Sequence, residues 1–139
     1  MNSLEFAQLL LRKAAQDEFV VRTLSPDPEA PDEAIGFHAQ QAVEKALKAV
    51  LASKGVSYRW RHDIVELLDL LKENGVTVPA EIEEARRLNP FAVELRYGDL
   101  PDDTLERLDR VWSMKCVEQA REWAETLIAK GSEPDPTGG

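Results

Sequence analysis

The stretch Ile35-Gly36-Phe37-His38-Ala39-Gln40-Gln41-Ala42-Val43-Glu44-Lys45-Ala46-Leu47-Lys48-Ala49-Val50-Leu51 decides the fold. Its apolar positions, Ile35, Ala39, Ala42, Val43, Ala46, Leu47, Val50 and Leu51, recur every three or four residues, which is one face of an α-helix and not the alternation of a strand. Asp32 is read as the N-cap and Gly55 as the C-terminal cap, so the spacing predicts a helix over 33–54. The alanines on its apolar side allow a neighbouring helix to approach closely.

Working outward, Asn2 and Glu5 have the form of a capping box, and Leu4, Ala7, Leu11, Ala14 and Ala15 then keep helical step, predicting a first helix over 4–23. Pro26, Pro28 and Pro31 make the following segment a loop. Asp63 and Glu66 form a second capping pair ahead of Val65, Leu67, Leu68 and Leu71, for a third helix ending near Asn74 and Gly75. Pro79 suits the first position of a short fourth helix, which should fail near Leu88 because Pro90 disfavours helical geometry at Asn89. Phe91, Ala92, Val93 and Leu95 are read as a further turn. Asp103 to Glu106 is a third capping box, opening a last helix with Leu105, Leu108, Trp112, Cys116, Ala120, Trp123, Leu127 and Ile128 in step and Gly131 as its stop. No strand pattern or internal repeat is present. The expectation is an all-α, antiparallel, up-and-down bundle of four to five helices over residues 3–130, with 131–139 as a disordered tail.

A chain of 139 residues, 43% hydrophobic and 31% charged, suits one globular domain. No apolar run is long enough to span a bilayer and the first residues lack a secretory pattern, so a cytoplasmic location without membrane association is expected. Cys116 is the lone cysteine, which excludes an internal disulfide and a thiolate cage. It reads as a small, partly buried hydrophobe. Neither histidine belongs to a Glu-x-x-His pair, since Ile35 precedes His38 by three and Arg59 precedes His62 by three, so no metal site or cofactor is expected. A net charge of −9 argues against a nonspecific nucleic-acid coat. Between His38 and His62, however, Lys45, Lys48, Lys54, Arg59 and Arg61 face Glu44 alone, a local net of +4. That window is a candidate anion site; the plain alternative is a solvated helix face with its loop.

Three features then coincide: the Gln41-Ala42-x-Glu44-Lys45-Ala46-x-Lys48-Ala49 helix, the His62-Asp63-Ile64 run opening the next helix, and the later Arg96-Tyr97 pair. In order and spacing they resemble the HEPN family over about residues 3–130, domains named for nucleotide binding in higher eukaryotes and prokaryotes. The resemblance implies a bundle of four or five helices and a homodimer. It also implies, in bacteria, frequent pairing with a small nucleotidyltransferase in toxin–antitoxin modules. Many members resemble metal-independent ribonucleases whose motif is an arginine, four to six residues, then a histidine. Here no histidine follows Arg96 through Asp103, and no arginine stands at the required distance before His38 or His62. The ribonuclease pattern is absent, which points away from an enzyme.

The candidate nucleotide or anion ligands are therefore Lys45, Lys48, Arg59, Arg61, His62, Arg96 and Tyr97, with no catalytic residue assigned. Lys45 and Lys48 share a helix face and could clamp an anion, although Glu44 and Lys48 could equally form a surface ion pair. His62 has a capping or local packing role as its alternative, His38 packing at an interface, and Trp60 a satellite core contact instead of base stacking. Trp112 and Trp123 read as core or dimer-interface residues, and Arg86 and Arg87 as partners of the negative end of the fourth helix. The first expectation is a module that binds a nucleotide or a nucleotidyltransferase partner in a two-component system. A divergent ribonuclease toxin, with RNA as ligand, and a purely structural dimer are the alternatives.

Overall fold

The computed structural model describes residues 1–59, 61–92 and 107–132. The first helix, α1 (Ser3–Leu24), starts where the Asn2 side chain accepts from the Glu5 amide at 2.8 Å, as a capping box requires, while the Glu5 carboxylate accepts from the Asn2 side-chain Nδ2 at 3.1 Å in place of the backbone N–H. The second, α2 (Asp32–Ser53), ends in a Schellman closure: Gly55 N–H donates to Ala52 O and Val56 N–H to Leu51 O, with Gly55 at φ +71°. The same two bonds close α3 (Ile64–Glu73), from Gly75 to Lys72 O and from Val76 to Leu71 O, with Gly75 at φ +81°. A one-turn α4 (Ala80–Glu83) runs into a 3-10 helix (Glu84–Phe91), and α5 (Arg110–Ser132) is the last of the described elements. Among the described residues there is no strand. The protein is an all-α antiparallel bundle.

Helix α2 is the axis of the bundle, packed against α1, α3, α5 and the 3-10 helix. The sequence accounts for this: its apolar stripe is wide enough to be buried from several sides. Ile35, Val43, Leu47, Val50 and Leu51 have no exposed surface, and each large side chain so buried contributes about 1.5–3 kcal/mol. Ala7 of α1 and Ala49 and Ala52 of α2 cluster with Ile128 of α5, where three helices meet through small side chains.

Five expectations need correction. Pro31, not Asp32, occupies the N-cap of α2, and Asp32 lies in the first turn, where its carboxylate takes Arg110 Nε at 2.9 Å. Pro79 is likewise the N-cap of α4 and not its first helical residue. The helical path does not stop near Leu88: past Glu83 it tightens to 3-10 geometry, which carries Pro90 inside it to Phe91. A 3-10 turn tolerates this because the Pro90 nitrogen has no hydrogen bond to lose and Asn89 is occupied elsewhere, its Oδ1 accepting from Ile64 N–H at 2.9 Å and its Nδ2 donating to Asp63 at 3.1 Å. Finally, residues 107–109 are not helical, so α5 begins at Arg110. Asp109 performs the capping, its Oδ1 accepting from Trp112 N–H at 2.9 Å. At the other end α5 passes through Gly131 to Ser132. The Asp103 to Glu106 box, the turn from Val93 onward and residues 133–139 lie outside the described residues.

Arg110 explains why α5 starts where it does. Its guanidinium donates to the carbonyls of Ser25, Asp27 and Ala30 at 3.1, 2.7 and 2.6 Å as well as to Asp32, closing the proline-rich α1–α2 loop against the bundle. Loop carbonyls, of which Asp27 O also accepts from Ala30 N–H at 3.1 Å, are thus bonded by a cation from a distant element.

Candidate functional site

Glu44 faces inward on α2 and is 1% exposed. An isolated charge there would be strongly unfavourable, and four donors compensate it. Lys48 Nζ reaches Oε1 from one turn ahead, His62 Nδ1 lies 3.0 and 3.1 Å from the two oxygens, and Gln40 Nε2 and Gln41 Nε2 donate to Oε2 at 2.9 and 3.3 Å. Gln41 also donates to Gln40 Oε1 at 2.7 Å, so the two amides orient each other.

This geometry fixes the histidine tautomer. A bare Nδ1 lone pair facing a carboxylate at 3.0 Å would be repelled, so Nδ1 carries the hydrogen and donates to Glu44. The 3.3 Å approach of Gln41 Nε2 to the same nitrogen is then a contact between two donors, each satisfied elsewhere. With Nδ1 committed, Nε2 is the nitrogen left for chemistry, on a side chain that is 61% exposed. Lys48 completes the site from below, its ammonium 5.4 Å from the centre of the Tyr58 ring. Burial, and then the negative charge of Glu44, pushes the Tyr58 hydroxyl above its ordinary range, so it stays a neutral phenol.

A second constellation repeats the pattern on the α1 side of the same helix. Asp17, buried on α1, accepts His38 Nδ1 at 2.9 Å on one oxygen and Lys45 Nζ on the other. By the same argument His38 holds its hydrogen on Nδ1. Both histidines of the chain are thus oriented by buried carboxylates that also bind a lysine of α2.

The sequence-derived candidates distribute as follows. Lys45 and Lys48 both leave α2, but their ammoniums go to different carboxylates and do not converge on one point. The Glu44–Lys48 pair exists as a nearly buried contact instead of a surface one. Arg59 pairs with Glu66 at 2.9 Å on the outer face of α3, and Arg61 is exposed next to His62. Asp63 caps α3 by accepting from Glu66 N–H at 3.2 Å. Arg96, Tyr97 and Trp60 lie outside the described residues. Arg87 does not serve the end of α4: its guanidinium stacks 4.3 Å from the Trp112 ring. Trp112 and Trp123 both pack against the core. Cys116 is buried, and burial pushes its thiol up to about 12, so it behaves as the small hydrophobe its neighbours suggested. No group of three or more histidine, cysteine or acidic side chains is placed to hold a metal among the described residues, and none of their helices is long and apolar enough to cross a membrane.

Sequence reasoning missed Asp17, Gln40 and Gln41, and took Glu44 for a surface residue. A signal existed for two of them. Asp17 falls between Ala14 and Val21 on the inward face of α1, and Gln40 precedes Glu44 by one turn beside the α2 stripe. Polar residues in such positions must find buried partners.

Comparison with known proteins agrees with this architecture. The HEPN domain family matches residues 7–129. The chain is 29% identical over 136 residues to "Putative toxin MJ1304" of Methanocaldococcus jannaschii, covering 90% of this chain and 88% of that protein. Among solved structures, ST0689, described as an archaeal HEPN homologue, superposes with a TM-score of 0.66 at 22% identity, covering 88% of this chain and 97% of that one. At that identity the likeness is one of fold.

Proposed function

Since the chain belongs to the HEPN family, we propose that it is a binding module of a toxin-like two-component system, taking the phosphate of a nucleotide at the α2–α3 junction and working with a small nucleotidyltransferase. The observation that carries the binding reading is the convergence of Lys48, His62, Gln40 and Gln41 on buried Glu44, with Arg61 exposed alongside. Such a network fixes the His62 ring against α2 before a ligand arrives, leaving its Nε2 and the exposed Arg61 as the groups that face one, which lowers the ordering cost of binding. The relative whose name includes "toxin" supports the toxin-like part of this reading. Self-association belongs to the same reading, with exposed Phe19 and Val111 as apolar surface for it.

The test is thermal unfolding with and without adenine and guanine nucleotides. A rise in Tm with one of them, removed by Arg61→Ala, is the expected result; no shift with any nucleotide disposes of the binding reading. The partner reading is tested separately by co-expression with the product of the adjacent reading frame. It requires a small protein bearing a Gly-Ser-x-Ala-x-Gly signature that co-purifies with the chain.

A metal-independent ribonuclease is the second reading, favoured by one observation: two imidazoles with Nδ1 held by carboxylates resemble the base and orienter of a proton-transfer site. Overexpression without growth arrest, together with no RNA turnover by the purified chain in chelator, excludes it.

A further inference from the structure

The lysines of α2 are poorly placed to attract an anion, because each is already neutralised. Lys45 is spent on Asp17 and Lys48 on Glu44, so the two pairs together carry no net charge. Arg59 is engaged with Glu66. What the two constellations hold in reserve is the outer nitrogen of each imidazole. His62 meets the Gln41 side-chain amide at 3.3 Å, and His38 stands one turn before Gln41 in the sequence of α2.

We infer that His62 and, in its own constellation, His38 each present Nε2 as a contact for a tetrahedral oxyanion of the phosphate class, and that the anion binds only together with a proton on the ring it meets. The inference rests on the reading of the α2–α3 junction as a nucleotide-phosphate site and names both the contacting groups and their control.

The reasoning turns on the tautomer lock. A histidine free to choose would offer Nε2–H to an oxyanion while remaining neutral, moving its lone pair to Nδ1. Neither histidine here has that freedom, since the move would turn the lone pair onto Glu44 or Asp17. In the neutral state each therefore presents a lone pair outward, which repels a phosphate oxygen. Protonation reverses both terms at once, since Nε2 becomes a donor and the ring gains a positive charge balanced by no further anion in its constellation. The groups facing the rings are consistent with this. Around His62 they are Glu44, Lys48, the neutral Tyr58 phenol and the chain neighbours Arg61 and Asp63; around His38 they are Asp17 and Lys45, with the Phe37 ring edge-on at 5.3 Å. The sign follows: affinity is highest over the acidic range, where the rings carry the second proton, and falls as pH rises and they lose it.

Sulfate is the probe, because it stays a dianion throughout that range and contributes no proton of its own. Its affinity for the full chain is measured by chemical-shift titration at about pH 5.5 and about pH 8, with ADP in parallel. The expected result is sulfate binding weakened about tenfold or more at the higher pH. In His62→Gln and His38→Gln, whose amides donate without a proton, that dependence is expected to flatten while any general effect of the protein's charge persists. The His62 side chain is 61% exposed, so its replacement leaves the packing intact. Equal sulfate affinity at the two pH values, or an unchanged pH dependence in both variants, overturns proton-coupled binding even if ADP binds. Failure of both sulfate and ADP to bind at either pH removes the nucleotide reading and this inference with it.

Discussion

Replacing Glu44 with leucine would leave the Lys48 ammonium, two glutamine amides and the His62 Nδ1–H without their common acceptor. Removing one member of a buried charged pair costs about 3–5 kcal/mol, so Glu44→Leu is expected to lower the urea midpoint sharply. Adding Lys48→Met to Glu44→Leu should recover part of the loss, because an apolar pair avoids the stranded charge. A double variant as unstable as the single one would show that the amides and His62, not the ion pair, set the cost. Cys116 gives a second prediction at this scale. Its thiol, ordinarily near 9, is pushed up to about 12 by burial, so the folded protein binds this proton more tightly than the unfolded chain does. The resulting stabilisation is complete below about pH 9 and is lost progressively as pH rises towards 12. Two measurements check it: native protein should not react with a thiol reagent at neutral pH until denatured, and the decline in stability above pH 9 should be shallower in Cys116→Ala. The apolar residues of α2 were legible because periodicity reports them directly. Glu44 was not, since an acid one turn before a lysine has the same pattern whether it faces water or the core.

Elements were legible where their ends are built locally. The Gly55 and Gly75 closures and the Asn2 cap need only neighbours in sequence, and the readings there hold to within about two residues, the usual ambiguity of helix ends. The start of α5 was misread because Asp103 to Glu106 and Asp109 to Trp112 offer similar local caps, and part of the choice is made by Arg110, which reaches back to the α1–α2 loop. The 3-10 continuation after α4 also has a distant cause, in the bonds of Asn89 to Asp63 and Ile64. Gly36 is a further tertiary feature hidden in a helical pattern. A Cβ at this position would lie 2.3 Å from Phe91 Cδ1, with two more ring atoms within 3 Å. Alanine there gains up to about 1 kcal/mol of helix propensity but must displace a buried ring, and overpacking of this kind costs about 1–3 kcal/mol. Gly36→Ala is therefore expected to be net destabilising by about 1 kcal/mol in chemical unfolding. Adding Phe91→Leu, which vacates part of the ring volume, should restore part of the loss. If Gly36→Ala alone raised the midpoint, the packing of Phe91 on α2 would be wrong.

At the scale of the whole molecule, net charge and local charge make opposite demands. The chain carries −9 overall, yet five cations and both histidines fall between positions 38 and 62. Folding does not convert that window into an open cationic surface, because Asp17, Glu44 and Glu66 take up Lys45, Lys48 and Arg59. A nonspecific nucleic-acid surface needs many unneutralised Lys and Arg groups, each displacing condensed counterions from the polyanion. Here the long-range field is repulsive, and attraction is confined to contacts short enough to escape screening, within about 10 Å at moderate salt. The protein is accordingly expected to leave an arbitrary duplex DNA unretarded in a mobility-shift experiment at micromolar concentration, even at low salt where such binding is strongest, while a small anion still perturbs the resonances of His38 and His62. Retardation that weakens steeply with added salt would mean that the cations of the window are available to a polyanion, contrary to their pairing within the bundle.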